Sequence, residues 1–282
     1  MLLVGLDLFT ANWQNNLRLV PPEGVFPRTA LTRLVQGGIG EYRVASEGLL
    51  PGDGNAGSAY GFQDVVGNSP LEFERYHIFE KNVEEWQRWQ LLNVRYILTK
   101  RQFTDGRFKQ VAKSGDVYAY EIVEEYRLPR VMLAYRAQVA PSDREAFDLI
   151  KKANLREEVI LAEAPRLALP NKPPAGGWAR VDRYTSDRII ISAGLSENGI
   201  LVLSEVNYPG WRAFVDGVPT AISSADYLLR AVPLEPGEHV VEFAYNPNSL
   251  EVGKWLSMAT VILVLIVIVG EGIAVLVRQS RA

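Results

Sequence analysis

The 282-residue chain contains no cysteine, which excludes a disulfide framework, thiolate metal sites and cysteine nucleophiles. Only two histidines occur, His77 and His239, so the common His-rich zinc enzymes are excluded as well. No Gly-x-Ser-x-Gly elbow, Walker loop or metal-ligand pair at helical spacing is read from the sequence, and hydrolase, nucleotide-binding and metal readings therefore lack a warrant. Neither a cofactor nor a metal is expected. Basic residues do not exceed acidic ones, 30 against 33, and nucleic acid is not an expected partner. A composition of 48% apolar and 22% charged residues rules out disorder and low complexity.

Apolar residues, by contrast, are unevenly placed. Between Trp255 and Val277, 18 of 23 residues are apolar and only Glu271 is charged. As a helix this stretch is about 35 Å long, enough for a ~30 Å hydrocarbon core, so one C-terminal transmembrane helix over 254–277 is expected. Lys254 and Trp255 suit one interface, and Arg278 and Arg281 mark the short tail 278–282 as cytoplasmic. The preceding bulk, with 27 basic and 32 acidic residues, is then extracytoplasmic. Glu271 is read as snorkelling toward the nearby interface rather than as a functional intramembrane carboxylate. Residues 1–11 begin with the apolar run Met1-Leu-Leu-Val-Gly-Leu-Asp-Leu-Phe9, too short to span and without a basic or cleavage signal. They read as the remnant of a membrane helix, and the chain as the C-terminal piece of a larger multi-pass protein whose N-terminal transmembrane half is missing.

Between these ends two domains are expected. Residues 12–164 mix strand and helix signals: a strand at 41–44, a glycine-rich loop at 51–61, a helix at 79–92 with Phe79, Val83, Trp86 and Trp89 on one face, and strands at 94–98, 117–122, 130–135 and 159–163. Ser142 and Glu145 form a capping box that opens a helix buried through Ala146, Phe147, Ile150 and Ala153. The order implies an α+β domain. A linker follows at 165–177, with four prolines and two glycines. Seven strands are then expected at 178–184, 188–193, 199–206, 211–215, 218–222, 227–232 and 238–245. His239, Val241, Phe243 and Tyr245 alternate on one face of the last, and Asp216-Gly217 is a two-residue hairpin signal. The span 178–250 thus reads as an all-β sandwich of jelly-roll or immunoglobulin-like type.

The series Tyr208-Pro-Gly-Trp211, Asp216-Gly217 and Gly237-Glu-His239 before a membrane helix resembles the C-terminal end of the bacterial YfhO-type membrane proteins. Ala59-Tyr-Gly-Phe62, Leu91-Leu-Asn-Val-Arg-Tyr-Ile-Leu98 and Leu128-Pro-Arg130 are similar to the same family's extracytoplasmic region, in the same order. The resemblance implies a membrane glycosyltransferase of the multi-pass C type, moving sugar from a polyprenyl-phosphate carrier to a cell-envelope acceptor. In that group the catalytic acid lies in an early loop between N-terminal membrane helices. No position of this sequence inherits that role, so the chain is expected to be an accessory or substrate-binding portion. Its expected partners are the lipid bilayer and a lipid-linked sugar or envelope glycan.

Six residues are candidates for ligand binding. Tyr60, Gly61 and Asn68 are placed by the resemblance in a loop facing a membrane-embedded active site, although glycine clusters also mark plain flexible turns. Tyr208, Trp211 and Asp216 combine aromatic faces, which pack on sugar C–H groups, with a carboxylate acceptor. Against ligand binding, Trp211 reads first as an indole plug of a sandwich core, and Asp216 first as a turn residue. The histidines are read as structural, without an acid partner visible in sequence. Glu84-Glu85 and Glu124-Glu125 do not face each other as a glycosidase pair would. The competing class is a membrane-tethered carbohydrate-binding or purely structural β-sandwich module.

Overall fold

A computed structural model describes residues 10, 24, 26–52, 54–67 and 72–279, the last nine for their backbone only. All but residue 10 of the expected stub at 1–11, Asn68, the Glu271 side chain and the tail after Gln279 lie outside what is described. The chain is mixed α and β, with mostly antiparallel sheets and one C-terminal apolar helix.

The first elements are α1 (Ala30–Val35), β1 (Arg43–Ala45), α2 (Ala56–Tyr60), α3 (Glu74–Asn82), α4 (Glu85–Leu91), β2 (Val94–Thr99), β3 (Phe108–Ser114) and β4 (Val117–Ile122). Helix α1 starts where the Thr29 hydroxyl accepts from the Thr32 amide and Thr32 answers the Thr29 amide, a reciprocal cap. The single helix expected at 79–92 is two, because Val83 and Glu84 are extended. Asn82 turns its side-chain amide onto the Ile78 carbonyl, competing with helix propagation, while Val83 drops into the core. Strand β1 runs parallel to β2, and β2, β4 and β3 follow as antiparallel neighbours.

Next come β5 (Val131–Ala134), β6 (Arg136–Val139), α5 (Asp143–Ile150), β7 (Glu158–Leu161), β8 (Trp178–Tyr184), β9 (Arg188–Leu195) and β10 (Gly199–Val206). Helix α5 is capped by Ser142 as the box predicts, its hydroxyl accepting from the Glu145 amide. The chain closes with β11 (Trp211–Val215), β12 (Val218–Thr220), β13 (Ser223–Ala225), β14 (Leu229–Leu234), β15 (Gly237–Tyr245) and α6 (Asn248–Gln279). Strands β11 and β12 pair Val215 with Val218 across the Asp216-Gly217 turn, both residues at positive φ, as a tight hairpin demands.

Two larger sheets result. One has the order β5-β10-β14-β13-β7-β6, the other β12-β11-β15-β9-β8. The first therefore takes β5, β6 and β7 from the region expected to be a separate α+β domain, and the Pro/Gly-rich stretch 165–177 does not divide the sheets. Strand β10 explains this. Leu201 and Leu203 point into a core shared with Ile189, Ile191, Val241 and Phe243 of the second sheet. Ile200 and Val202 point the other way, into a core with Phe79, Trp89, Leu91 and Ile97. A strand buried on both faces needs a continuous apolar run rather than alternation, and needs a sheet partner on each edge; β5 supplies one of them. A third cluster, around Val35, Val44, Tyr60 and Leu98, lies between α1 and the four-stranded sheet.

Helix α6 begins at Asn248, six residues before the expected boundary at 254. Its 32 residues span about 48 Å. Asn248–Gly270 is long and apolar enough to cross a membrane, and none of its side chains is buried by the rest of the protein.

Candidate functional site

The turn Asn207–Gly210, the start of β11, the end of β15 and the start of α3 place five aromatic rings together at the root of α6. Phe73 meets Tyr208 edge-on with centroids 5.1 Å apart, Trp211 lies 5.3 Å from Tyr245, and Tyr208 lies 6.5 Å from Tyr245. Tyr76 lines the same hollow. Two clefts, of about 940 and 480 Å³, share Phe73, Tyr208 and Trp211 in their walls. The turn is held to the helix start by two bonds: the Asn246 amide donates to the Gly210 carbonyl at 2.8 Å, and Arg212 Nη2 donates to Asn248 Oδ1 at 2.9 Å. Gly210 is required there. It sits at φ +104°, and a Cβ would lie 2.9 Å from Pro247 and from the Tyr245 ring.

Beneath the rings lies a cluster of buried charge. Glu205 of β10 accepts from Arg130 and the Tyr184 hydroxyl on a single oxygen, which also forms an ion pair with Arg43 at 3.2 Å. Arg43 also donates to the Leu92 carbonyl at 2.9 Å and the Ser204 carbonyl at 2.8 Å. Arg130 reaches Gln63 Oε1 at 2.7 Å and the Tyr184 hydroxyl at 3.1 Å. Arg230 of β14 donates Nε to the Val206 carbonyl at 2.9 Å and lies face-on to Trp211, 3.7 Å from the ring centroid. Burial alone would raise the Glu205 carboxyl, but Arg43, Arg130 and Arg230 outweigh it and hold the group below the usual carboxylate range. Burial pulls Arg230 down to about 10, with Glu205 opposing.

The residues expected from sequence separate into distinct places. Tyr208 is exposed and lines the clefts. Trp211 has two surfaces: it closes the core between the larger sheets and walls the clefts. Tyr60 is buried in the third core and donates to the Pro27 carbonyl at 2.9 Å, and Gly61 is the left-handed cap of the short helix α2. Neither lines the clefts that Tyr208 and Trp211 share. Asp216 occupies its hairpin turn, where its carboxylate accepts from the Val240 amide at 2.8 Å and meets His239 Nδ1 at 2.7 Å. Burial disfavours the His239 cation, yet the Asp216 carboxylate and the Glu235 carbonyl together raise its pKa above the ordinary value. Both histidines thus have acid partners that sequence reading did not pair with them.

The other is His77, whose Nδ1 lies 2.8 Å from Glu72. Glu72, His77 and Glu80 bring ligand atoms within 4.8 Å of one another and are the described residues that could hold a metal ion. His77 and Glu80 are three apart on α3, so a metal-ligand pair at helical spacing is present after all. Sequence reading also missed Arg43, Arg130, Glu205 and Arg230. An available signal was Arg230 inside the apolar strand Leu229–Leu234, since arginine is almost never fully buried unless it has a partner. Compared with family models, curated proteins and solved structures, the chain matches none.

Proposed function

We propose that the two larger sheets form a β-sandwich of jelly-roll or immunoglobulin-like type, standing outside the cytoplasm on a transmembrane α6. On this reading the chain is the substrate-binding portion of a YfhO-like membrane glycosyltransferase, and its aromatic cleft holds the polar head of a lipid-linked sugar. The supporting observation is the position of the cleft. Tyr208, Trp211 and Tyr245 stand where β15 passes through Asn246 and Pro247 into the apolar helix, and with α6 in a bilayer this is the headgroup level, which aromatic residues favour. Flat rings with adjacent polar groups suit sugar C–H faces and hydroxyls.

The test is binding of a polyprenyl-phosphate-linked sugar to the full chain in lipid nanodiscs. Because β5, β6 and β7 belong to the central sheet, residues 165–250 alone are not a suitable fragment. Tyr208→Ala is the informative variant, since Tyr208 is 45% exposed and belongs to none of the three cores. Taken on the scale of an aromatic pair, about 0.5–1.5 kcal/mol, loss of the ring contact predicts roughly two- to tenfold weaker binding. Unchanged affinity in Tyr208→Ala, or no binding by the parent, refutes the reading. Binding of soluble glycan in place of the lipid-linked form would select the tethered carbohydrate-binding module.

A further inference from the structure

Three guanidinium groups surround one carboxylate in the charge cluster, leaving two positive charges in excess. Arg130 is 4% exposed and Arg230 2%. Arg230 Nη1 is buried without any hydrogen-bond partner, as are Arg130 Nε and Nη1. Among the described residues, Glu205 is the carboxylate that acts most strongly on both Arg43 and Arg230. Buried charges are normally paired and buried donors normally satisfied, and an anion would satisfy a surplus of this kind. Arg230 also lines the smaller aromatic cleft together with Glu205, Tyr76, Tyr208, Trp211 and the His77-paired Glu72, so the residue that carries the buried unpaired donor forms part of the wall of an open hollow.

We propose that this cleft is an anion site in which Arg230 takes a phosphate group, borne on a membrane lipid or free in solution. Arginine fits the tetrahedral oxygens of phosphate through paired N–H donors. Trp211 covers one face of the guanidinium, so the phosphate meets its edge, and the exposed Tyr208 ring shifts to admit it. The location rests on the cleft described under the proposed function, but the chemistry is independent of any sugar.

The experiment uses the full chain in phosphatidylcholine nanodiscs, with two probes: inorganic phosphate in solution, and polyprenyl phosphate incorporated in the bilayer. Saturable binding is expected and is read by tryptophan fluorescence, since Trp211 stacks on Arg230. Arg230→Met preserves bulk and removes an unsatisfied buried donor, and it should weaken binding about tenfold or more, the scale of a lost charge-assisted pair. Arg156→Met, which removes bonds only to the Glu125 and Arg127 carbonyls, should not. Tighter binding of the bilayer probe assigns the site to a lipid, and equal binding assigns it to free phosphate. A second reading needs no variant: the Arg230 Nε–H NMR resonance should move to saturation with either probe. Absence of saturable binding by both probes, a stationary Arg230 resonance, or undiminished affinity in Arg230→Met would overturn the proposal. Phosphate binding without sugar binding would leave the anion site standing while removing the sugar reading, and sugar binding indifferent to Arg230 would do the reverse.

Discussion

Glu205→Gln is the substitution to which the fold should be most sensitive for its size. The amide keeps the shape of the side chain but withdraws the one negative charge that faces Arg43, Arg130 and Arg230. Removing one partner of a buried ion pair costs about 3–5 kcal/mol, because the remaining charge stays desolvated. That is roughly 160- to 5,000-fold in the folding equilibrium, a large share of the ~5–15 kcal/mol that stabilises a domain. Arg130→Met should be much milder. It sacrifices bonds to Gln63, Tyr184 and Glu205, but it also deletes two buried donors without partners and lowers the charge surplus from two to one. Its expected cost is about 1–2 kcal/mol. The assay is equilibrium urea unfolding of the detergent-solubilised chain at pH 7, followed by tryptophan fluorescence. Acid provides a further check. Since the folded Glu205 carboxyl is held below its ordinary value, its stabilisation is present above the unfolded pKa and is lost as pH falls through the folded one. The gap between parent and Glu205→Gln should therefore close in strong acid. Were Arg130→Met to cost as much as Glu205→Gln at pH 7, the picture of one carboxylate balancing three cations would be wrong.

Asp226 gives a pH dependence of opposite sign. Its carboxyl is buried at the β13–β14 turn and accepts from the Ile160 amide at 2.9 Å, and burial pushes its pKa up to about 7, with the Ile160 bond opposing. A raised carboxyl favours the folded state below the unfolded pKa and progressively less as pH rises through the folded value. Asp226→Asn, which tolerates the φ of +46° there, should match the parent near pH 4 and exceed it in urea midpoint at pH 8; parallel pH profiles would refute this. Gly210→Ala should destabilise by about 1–3 kcal/mol, because its Cβ would strike Pro247 and Tyr245, and it should weaken ligand binding at the cleft. A melting temperature equal to the parent's would show that the turn is not pinned to the helix root.

Local chemistry explains which parts of the fold were legible. The strands at 178–184, 199–206 and 211–215 and the Asp216-Gly217 hairpin were readable because turn residues and short apolar or alternating runs are encoded within a few positions of one another. So was the apolar helix, by length alone. Strand β3 was not, since Phe108-Lys-Gln-Val-Ala-Lys-Ser114 lies at a sheet edge and is only partly buried, leaving little hydrophobic signal. The pairing of β5 with β10 joins Val131 to Leu203, across more than seventy residues, and no local pattern specifies it. The charge cluster is harder still. Arg43, Arg130, Glu205 and Arg230 come from separate segments, and only the sheet topology brings them together. At the cleft, Tyr208 and Trp211 were visible as aromatics in a Pro-Gly turn, whereas Tyr245 read as one face of the last strand and no local pattern marks Phe73 or Tyr76.

The account turns on whether the aromatic hollow at the root of α6 is where a lipid-linked sugar sits. Photocrosslinking tests this directly, with benzoylphenylalanine placed at position 208 or, as a control, at the exposed position 126, in the full chain reconstituted with a radiolabelled polyprenyl-phosphate sugar. The account predicts labelling from position 208 that excess unlabelled lipid-linked sugar competes away, and none from position 126. Equal labelling from both positions, or labelling from 208 that competitor does not reduce, would contradict it.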